Sequence, residues 1–162
     1  MKLIYKIILS VFVLYGLYLI WAIFAFGGGC NNMEGEIHYI PQNFVGKVRI
    51  IFDFQNGSKM EYENSRRVYK IPITGELYTQ FDLNHGWTST DKSHKFFYIY
   101  DDSLIPIRKL ISTKDFEDID SNLVYIMEYG ITSGTVIDGK EYDANIYIVD
   151  TLKNKKKYKL FE

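Results

Sequence analysis

The sequence predicts an all-β fold: an antiparallel β-sandwich of immunoglobulin-like or transthyretin-like character, preceded by one N-terminal transmembrane helix. From Glu36 onward, short alternating segments are separated by Gly, Asn, Asp and Pro, which is the pattern of strands and turns. No long helical period interrupts them, and about eight or nine strands at this spacing suit a sandwich or small barrel. Before them, Leu3 to Phe26 has Lys6 as its only charge.

The apolar run comes first. Its uncharged part, Ile7 to Phe26, would be about 30 Å long as a helix, one hydrocarbon thickness. Lys2 and Lys6 precede it, whereas Glu34 and Glu36 are the first charges after it. The positive-inside rule therefore places the N-terminus in the cytoplasm and the rest outside. Secretory signals also begin with positive charge, but their apolar regions are about 7–15 residues long. A retained single-pass anchor in a bacterial cell membrane is the main expectation.

The alternative rests on Cys30, the only cysteine, which follows Gly27, Gly28 and Gly29. Small residues before a cysteine look like a bacterial lipobox, which would make Cys30 a lipidation site and the protein a lipid-anchored lipoprotein. Gly27 departs from the aliphatic residue usual in that motif. Either way the predicted organisation is an anchor or signal with a Gly linker over residues 1–30 and one extracytoplasmic domain over 31–162.

Lys47 to Phe54 is the clearest strand. Val48, Ile50, Phe52 and Phe54 share one face, and Lys47, Arg49 and Asp53 the other. Ile37 to Pro41 precedes it, and Asn56-Gly57 after it predicts a tight hairpin turn. Arg67 to Pro72 and Glu76 to Phe81 follow, separated by Thr74-Gly75. Lys95 to Tyr100 is apolar on both faces, predicting a central strand covered on both sides. Ile105 to Ile111 comes next. Thr113 to Asn122 is a short helical stretch with acidic residues toward its start. Leu123 to Ile131, Glu141 to Asp150 and Lys156 to Phe161 complete the strands, with turns at Ser133-Gly134, Asp138-Gly139 and Lys153-Asn154. Each proline, Pro41, Pro72 and Pro106, follows isoleucine and suits a strand end or edge.

The order Tyr39-Ile40-Pro41, Phe44-x-Gly46, Val48-x-Ile50-x-Phe52, Gly57, Tyr62-Glu63, Arg67-x-Tyr69-x-Ile71-Pro72, Gly75 and Thr79-Gln80 resembles an uncharacterised family of small bacterial membrane-tethered envelope β-domains, known only as a domain of unknown function. The resemblance spans Glu36 to Trp87 and implies a tethered, sandwich-like bacterial domain. It implies no activity and carries over no catalytic residue. Ile73-Thr74-Gly75 departs from the turn-forming pair expected there.

Composition excludes several functions. A single cysteine allows no internal disulfide. The formal charge of −1 becomes −3 without Lys2 and Lys6, too mild for nucleic acid. His38, His85 and His94 are far apart in sequence and have no metal-type spacing. Ser93-His94 lacks an orienting third group. Asp118-x-Asp120-x-Asn122 begins like a calcium loop, but Leu123 and Tyr129 stand where Gly and Glu are needed. No catalytic, metal-ligating or cofactor-binding residue is assigned.

Aromatic residues are the one excess, 20 of them after Cys30. Most suit a sheet core. Trp87, in a polar loop beside His85, is the candidate for contact with a ligand or partner. Lys153, Lys155, Lys156, Lys157 and Lys159 form a basic run suited to guarding an edge strand. The expected function is a non-catalytic envelope module that binds a protein or surface polymer. A glycan-acting enzyme using carboxylates such as Asp82, Glu128 or Asp143 is the alternative. Partners are thus the membrane, through Leu3 to Phe26, and an envelope protein or glycan. The sequence gives no argument for an oligomeric state.

Overall fold

The computed structural model describes residues 13–21, 33–85, 94–101, 103–110 and 119–158. The chain divides into two units, Met1–Asn32 and Met33–Glu162. In the first, residues 13–21 form a helix, and the rest of Leu3 to Phe26 lies outside the described residues, as does Cys30. Among the described residues no helix is long and apolar enough to cross a membrane.

The second unit is built from ten strands. They are β1 (Gly35–Pro41), β2 (Gly46–Ile51), β3 (Tyr62–Glu63), β4 (Arg66–Lys70), β5 (Glu76–Tyr78), β6 (Lys95–Tyr100), β7 (Ser103–Pro106), β8 (Arg108–Lys109), β9 (Val124–Ile137) and β10 (Lys140–Thr151). They make two five-stranded sheets, ordered β3-β4-β1-β6-β7 and β5-β2-β10-β9-β8. Ile40, Tyr69 and Phe96 of the first sheet share a core with Val48, Ile50, Leu77, Ile126, Tyr147 and Val149 of the second, together with Ile71 and Phe52 one residue beyond β4 and β2.

The β character holds, but the sheets are mixed and not antiparallel throughout. Strand β1 runs parallel to both β4 and β6, β2 to β5, and β8 to β9. The chain leaves β1 for β2 in the opposite sheet before returning, so a parallel neighbour arises without a crossover helix. Side-chain alternation reports which face is buried and carries no strand direction.

Strand β6 has the predicted bounds but not the predicted coverage, since Ile99 and Tyr100 are exposed. The strand covered on both faces is β10. Tyr147 and Val149 point into the shared core, whereas Ile146 and Ile148 join Tyr125, Met127 and Leu110 on the other side of the sheet. Where a strand was expected from Lys156 to Phe161, Lys156 and Lys157 end a 3-10 helix, Leu152–Lys157, and Lys159 to Phe161 lie outside the described residues. Lys153, Lys155 and Lys157 thus stand on this helix and on no edge strand among the described residues. The helical stretch expected from Thr113 lies mostly outside the described residues.

Turns separate in the same way. Asp138 and Gly139 have φ of 49° and 79°, the two positive values of a tight hairpin joining β9 to β10. Asn64 and Ser65, at 48° and 60°, do the same for β3 and β4. Asn56-Gly57 closes no hairpin. Glycine is required at 57 because a Cβ there would stand 2.7 Å from the backbone of Tyr78 and Thr79, where the chain passes beside its neighbour. Ser133-Gly134 lies within β9: Thr132 and Thr135 pair with Ala144 and Tyr142, so two residues oppose Asp143 alone. This is a β-bulge with Gly134 at φ 78°.

Candidate functional site

Strand alternation puts Glu36, His38 and Ile40 on one face of β1, and that face is the one turned to the shared core. Glu36 and His38 are both 0% exposed. A carboxylate so placed needs partners to offset its lost hydration, and it has several. Its Oε1 accepts from Asn84 Nδ2 at 2.8 Å. Its Oε2 accepts from Tyr129 Oη at 2.8 Å and lies 3.1 Å from His38 Nε2.

The parallel pairing of β1 with β6 brings in the second histidine. Ile37 pairs with Lys95, so His94, one residue earlier, comes alongside Glu36. Its Nδ1 stands 3.1 Å from Glu36 Oε2. The two are not aligned as a hydrogen bond, and Nδ1 is a buried atom without a hydrogen-bond partner among the described residues.

The opposite sheet supplies the remaining groups. Tyr147 Oη lies 3.2 Å from His38 Nδ1, and Asn145 Nδ2 donates to Tyr129 Oη at 2.9 Å. Tyr129 reaches the cluster because β9 carries a second bulge: Gly130 pairs with Ile146 and Met127 with Ile148, leaving Glu128 and Tyr129 opposite Tyr147 alone. Without that extra residue Tyr129 would share a face with Met127, three steps of alternation away from the side of Ile126. The bulge returns it to the core side.

Rings enclose these polar atoms. His38 stacks on Phe96 with centroids 4.4 Å apart, and His94 on Tyr129 at 5.1 Å. Lys109 Nζ lies 3.9 Å from the centre of the Tyr129 ring.

Protonation follows from these surroundings. Burial would raise the Glu36 pKa, but its contacts with His38 and His94 outweigh that and hold it well below the usual carboxylate range. Burial lowers the pKa of His38 against the pull of Glu36. Burial also raises the pKa of Tyr129 and Tyr147. The resting site is then a carboxylate, a neutral His38 and two neutral phenols. His38 Nε2–H donates to Glu36, and Nδ1 accepts from Tyr147 O–H.

His85 is exposed and outside the cluster, and Trp87 lies outside the described residues. The histidines separated in sequence are in part brought together: one ligand atom from each of Glu36, His38 and His94 lies within 4.8 Å of the others. Metal-type spacing along the chain misses this, because the ligands come from neighbouring strands. The readable signal was Glu36-x-His38 in phase with Ile40, two polar residues on the core face of a strand.

Fold and cluster together define a two-sheet β-domain with a closed polar centre. The chain belongs to the family described as "Family of unknown function (DUF6843)", whose model matches residues 32–159. This agrees with the resemblance to a bacterial domain family of unknown function. Among solved structures, the chain is similar to one named "Putative Lipoprotein from Bacillus anthracis", with a TM-score of 0.50 and 12% identity over 78% of this chain and 80% of that one. At that identity the likeness is one of fold. No curated protein matches the sequence.

Proposed function

We propose that the chain is a membrane-tethered domain of the bacterial envelope that binds a protein or surface polymer and catalyses no reaction. The observation that carries the tether is the surface of the helix over residues 13–21. Val13, Leu14, Tyr15, Leu17, Tyr18, Leu19, Ile20 and Trp21 are all 44–66% exposed, and a helix apolar on every side belongs in an apolar surrounding. The chain divides after Asn32, and in this reading Gly27 to Cys30 serve as a linker ahead of that boundary.

Two tethers fit this boundary. The name carried by the Bacillus anthracis structure favours lipidation at Cys30, and the length of Leu3 to Phe26 favours a retained single-pass helix with its N-terminus in the cytoplasm. Intact mass of the membrane-extracted protein, compared with Cys30→Ala, tests both. A wild type beginning at a lipid-modified Cys30 establishes the lipoprotein, and retention of Met1 in both proteins establishes the helix. Recovery of the native protein in the soluble fraction would overturn either.

A binding role is supported by the state of the polar groups. The buried carboxylate is closed off between two sheets, and Asp82 Oδ1 is held by Arg67 Nη2 at 3.0 Å. The glycan-acting alternative requires paired carboxylates facing a cleft, and no observation favours it.

A further inference from the structure

We propose that Glu36, His38 and His94 form a binding site for one divalent transition-metal ion of the zinc type, held by Glu36 Oε2, His38 Nε2 and His94 Nδ1. This inference concerns the domain itself and does not depend on how the domain is tethered.

The donor set is the first argument. Two imidazole nitrogens and one carboxylate oxygen are a recurring set for zinc, leaving a fourth position for water or an outside ligand. Imidazole favours zinc, copper, nickel and iron over the harder calcium and magnesium. Glu36 Oε2 lies 3.1 Å from both His38 Nε2 and His94 Nδ1. Ligands about 2.05 Å from a tetrahedral ion stand roughly 3.3 Å from one another, close to these two separations, and the donor atoms of all three residues lie within 4.8 Å of one another, so the histidines would close on the ion.

The second argument is the atom left over. His94 has a side chain only 8% exposed, and its Nδ1 faces Glu36 Oε2 at 3.1 Å without the alignment of a good hydrogen bond. Buried polar groups are normally satisfied, and an exception calls for a missing partner. A cation between His94 and Glu36 supplies one. Tyr69 Oη and Asn145 Oδ1 are also buried without a hydrogen-bond partner among the described residues, and the Tyr69 ring centre lies 5.1 Å from that of His38.

The donors are also supported from behind. Metal-binding histidines and carboxylates are held by hydrogen bonds on the atom turned away from the metal. Here Asn84 holds Glu36 Oε1, and Oε2, which also accepts from Tyr129 Oη, is the oxygen turned to both histidines. Tyr147 Oη meets His38 Nδ1, leaving Nε2. On binding, the proton of the neutral His38 moves from Nε2 to Nδ1 and is donated to Tyr147 Oη, while the Tyr147 hydroxyl proton turns away. His38 loses no net proton. Lys109 opposes the ion by its charge, so its removal strengthens binding.

The test uses the full-length protein in detergent, stripped with a chelator and titrated with Zn²⁺ against a competing chromophoric chelator. One equivalent should bind and raise the melting temperature, since the ion stabilises the folded state. His94→Ala should weaken binding by at least about tenfold and abolish the thermal shift. Tyr147→Phe, which leaves all three donors in place, should weaken it by about 10- to 100-fold while keeping one equivalent. Lys109→Met should tighten it. Cys30→Ala and His85→Ala should leave it unchanged. Failure of the folded protein to bind Zn²⁺, or binding unaltered in both His94→Ala and Tyr147→Phe, overturns the proposal. So does loss of binding on replacing Cys30 or His85.

Discussion

Tyr129 Oη donates to Glu36 Oε2 at 2.8 Å, linking the second sheet to the central strand of the first across their shared core. The same hydroxyl accepts from Asn145 Nδ2. It is therefore a relay between two buried polar groups, and it exists only because of the bulge at Glu128 and Tyr129. Tyr129→Phe keeps the ring and removes the relay. It should destabilise the domain by about 1–3 kcal/mol, the range for leaving a buried donor or acceptor unsatisfied, measured by denaturant unfolding.

Glu36 is the group on which the relay converges. Glu36→Leu takes away the acceptor for Asn84, Tyr129 and His38 together, leaving their polar atoms stranded between two sheets. A loss of about 3–5 kcal/mol is expected, as for breaking one side of a buried charged pair. Glu36→Gln keeps an acceptor and should lose less. Equal losses in the two variants would show that shape and not hydrogen bonding sets the requirement.

Two glycines with nearly the same φ should respond unequally to substitution. Gly75 and Gly139 have φ of 78° and 79°, but a Cβ at Gly75 would stand 2.5 Å from Lys47 O and 2.9 Å from the Phe44 ring, whereas at Gly139 it meets nothing. Gly139→Ala should cost about 1 kcal/mol from backbone strain alone. Gly75→Ala should cost clearly more, read as the difference in unfolding midpoint at equal slope.

Asp150 should govern part of the acid stability. Burial would raise its pKa, but hydrogen bonds from Tyr158, Asn154 and the Thr151 amide outweigh that and lower it. A carboxyl whose folded pKa is depressed adds stability above its unfolded value of about 3.9, and that stability is lost as pH falls through the folded value. Unfolding free energy measured from pH 6 downward should therefore fall less steeply below about pH 4 in Asp150→Asn than in the wild type. Its partner Tyr158, pushed up to about 12, acts at the other end. That contribution should fade as pH rises from about 10 toward about 12.

Much of the strand pattern was legible because alternation is a local signal. Val48, Ile50 and Phe52 are buried together, and Asp138-Gly139 turns the chain as its residue types require. What alternation lacks is direction and partner choice, so the parallel neighbours of β1 were not foreseen. Lys95 to Tyr100 was apolar on both faces, yet Ile99 and Tyr100 are exposed, because apolar composition does not determine what covers a strand. The 3-10 helix at Leu152–Lys157 was missed for a similar reason. Its side chain Leu152, together with Tyr158, packs against the outer cluster beside Ile148, a tertiary contact that local propensity does not report.

The site was less legible than the fold. Glu36 and His38 could be paired on one strand face, but His94 is 56 positions beyond His38 in the chain and arrives through the β1–β6 register. Tyr129 depends on a bulge, which shifts the parity of every residue beyond it and leaves no simple mark in composition.

X-ray absorption at the zinc edge of the zinc-loaded full-length protein reports the ligands of the ion themselves. Nitrogen and oxygen neighbours are expected at about 2.0–2.2 Å, with the outer scattering of two imidazole rings, one of them lost in His94→Ala. A sulfur neighbour at about 2.3 Å, or a spectrum lacking paired imidazoles, would contradict this ligand set.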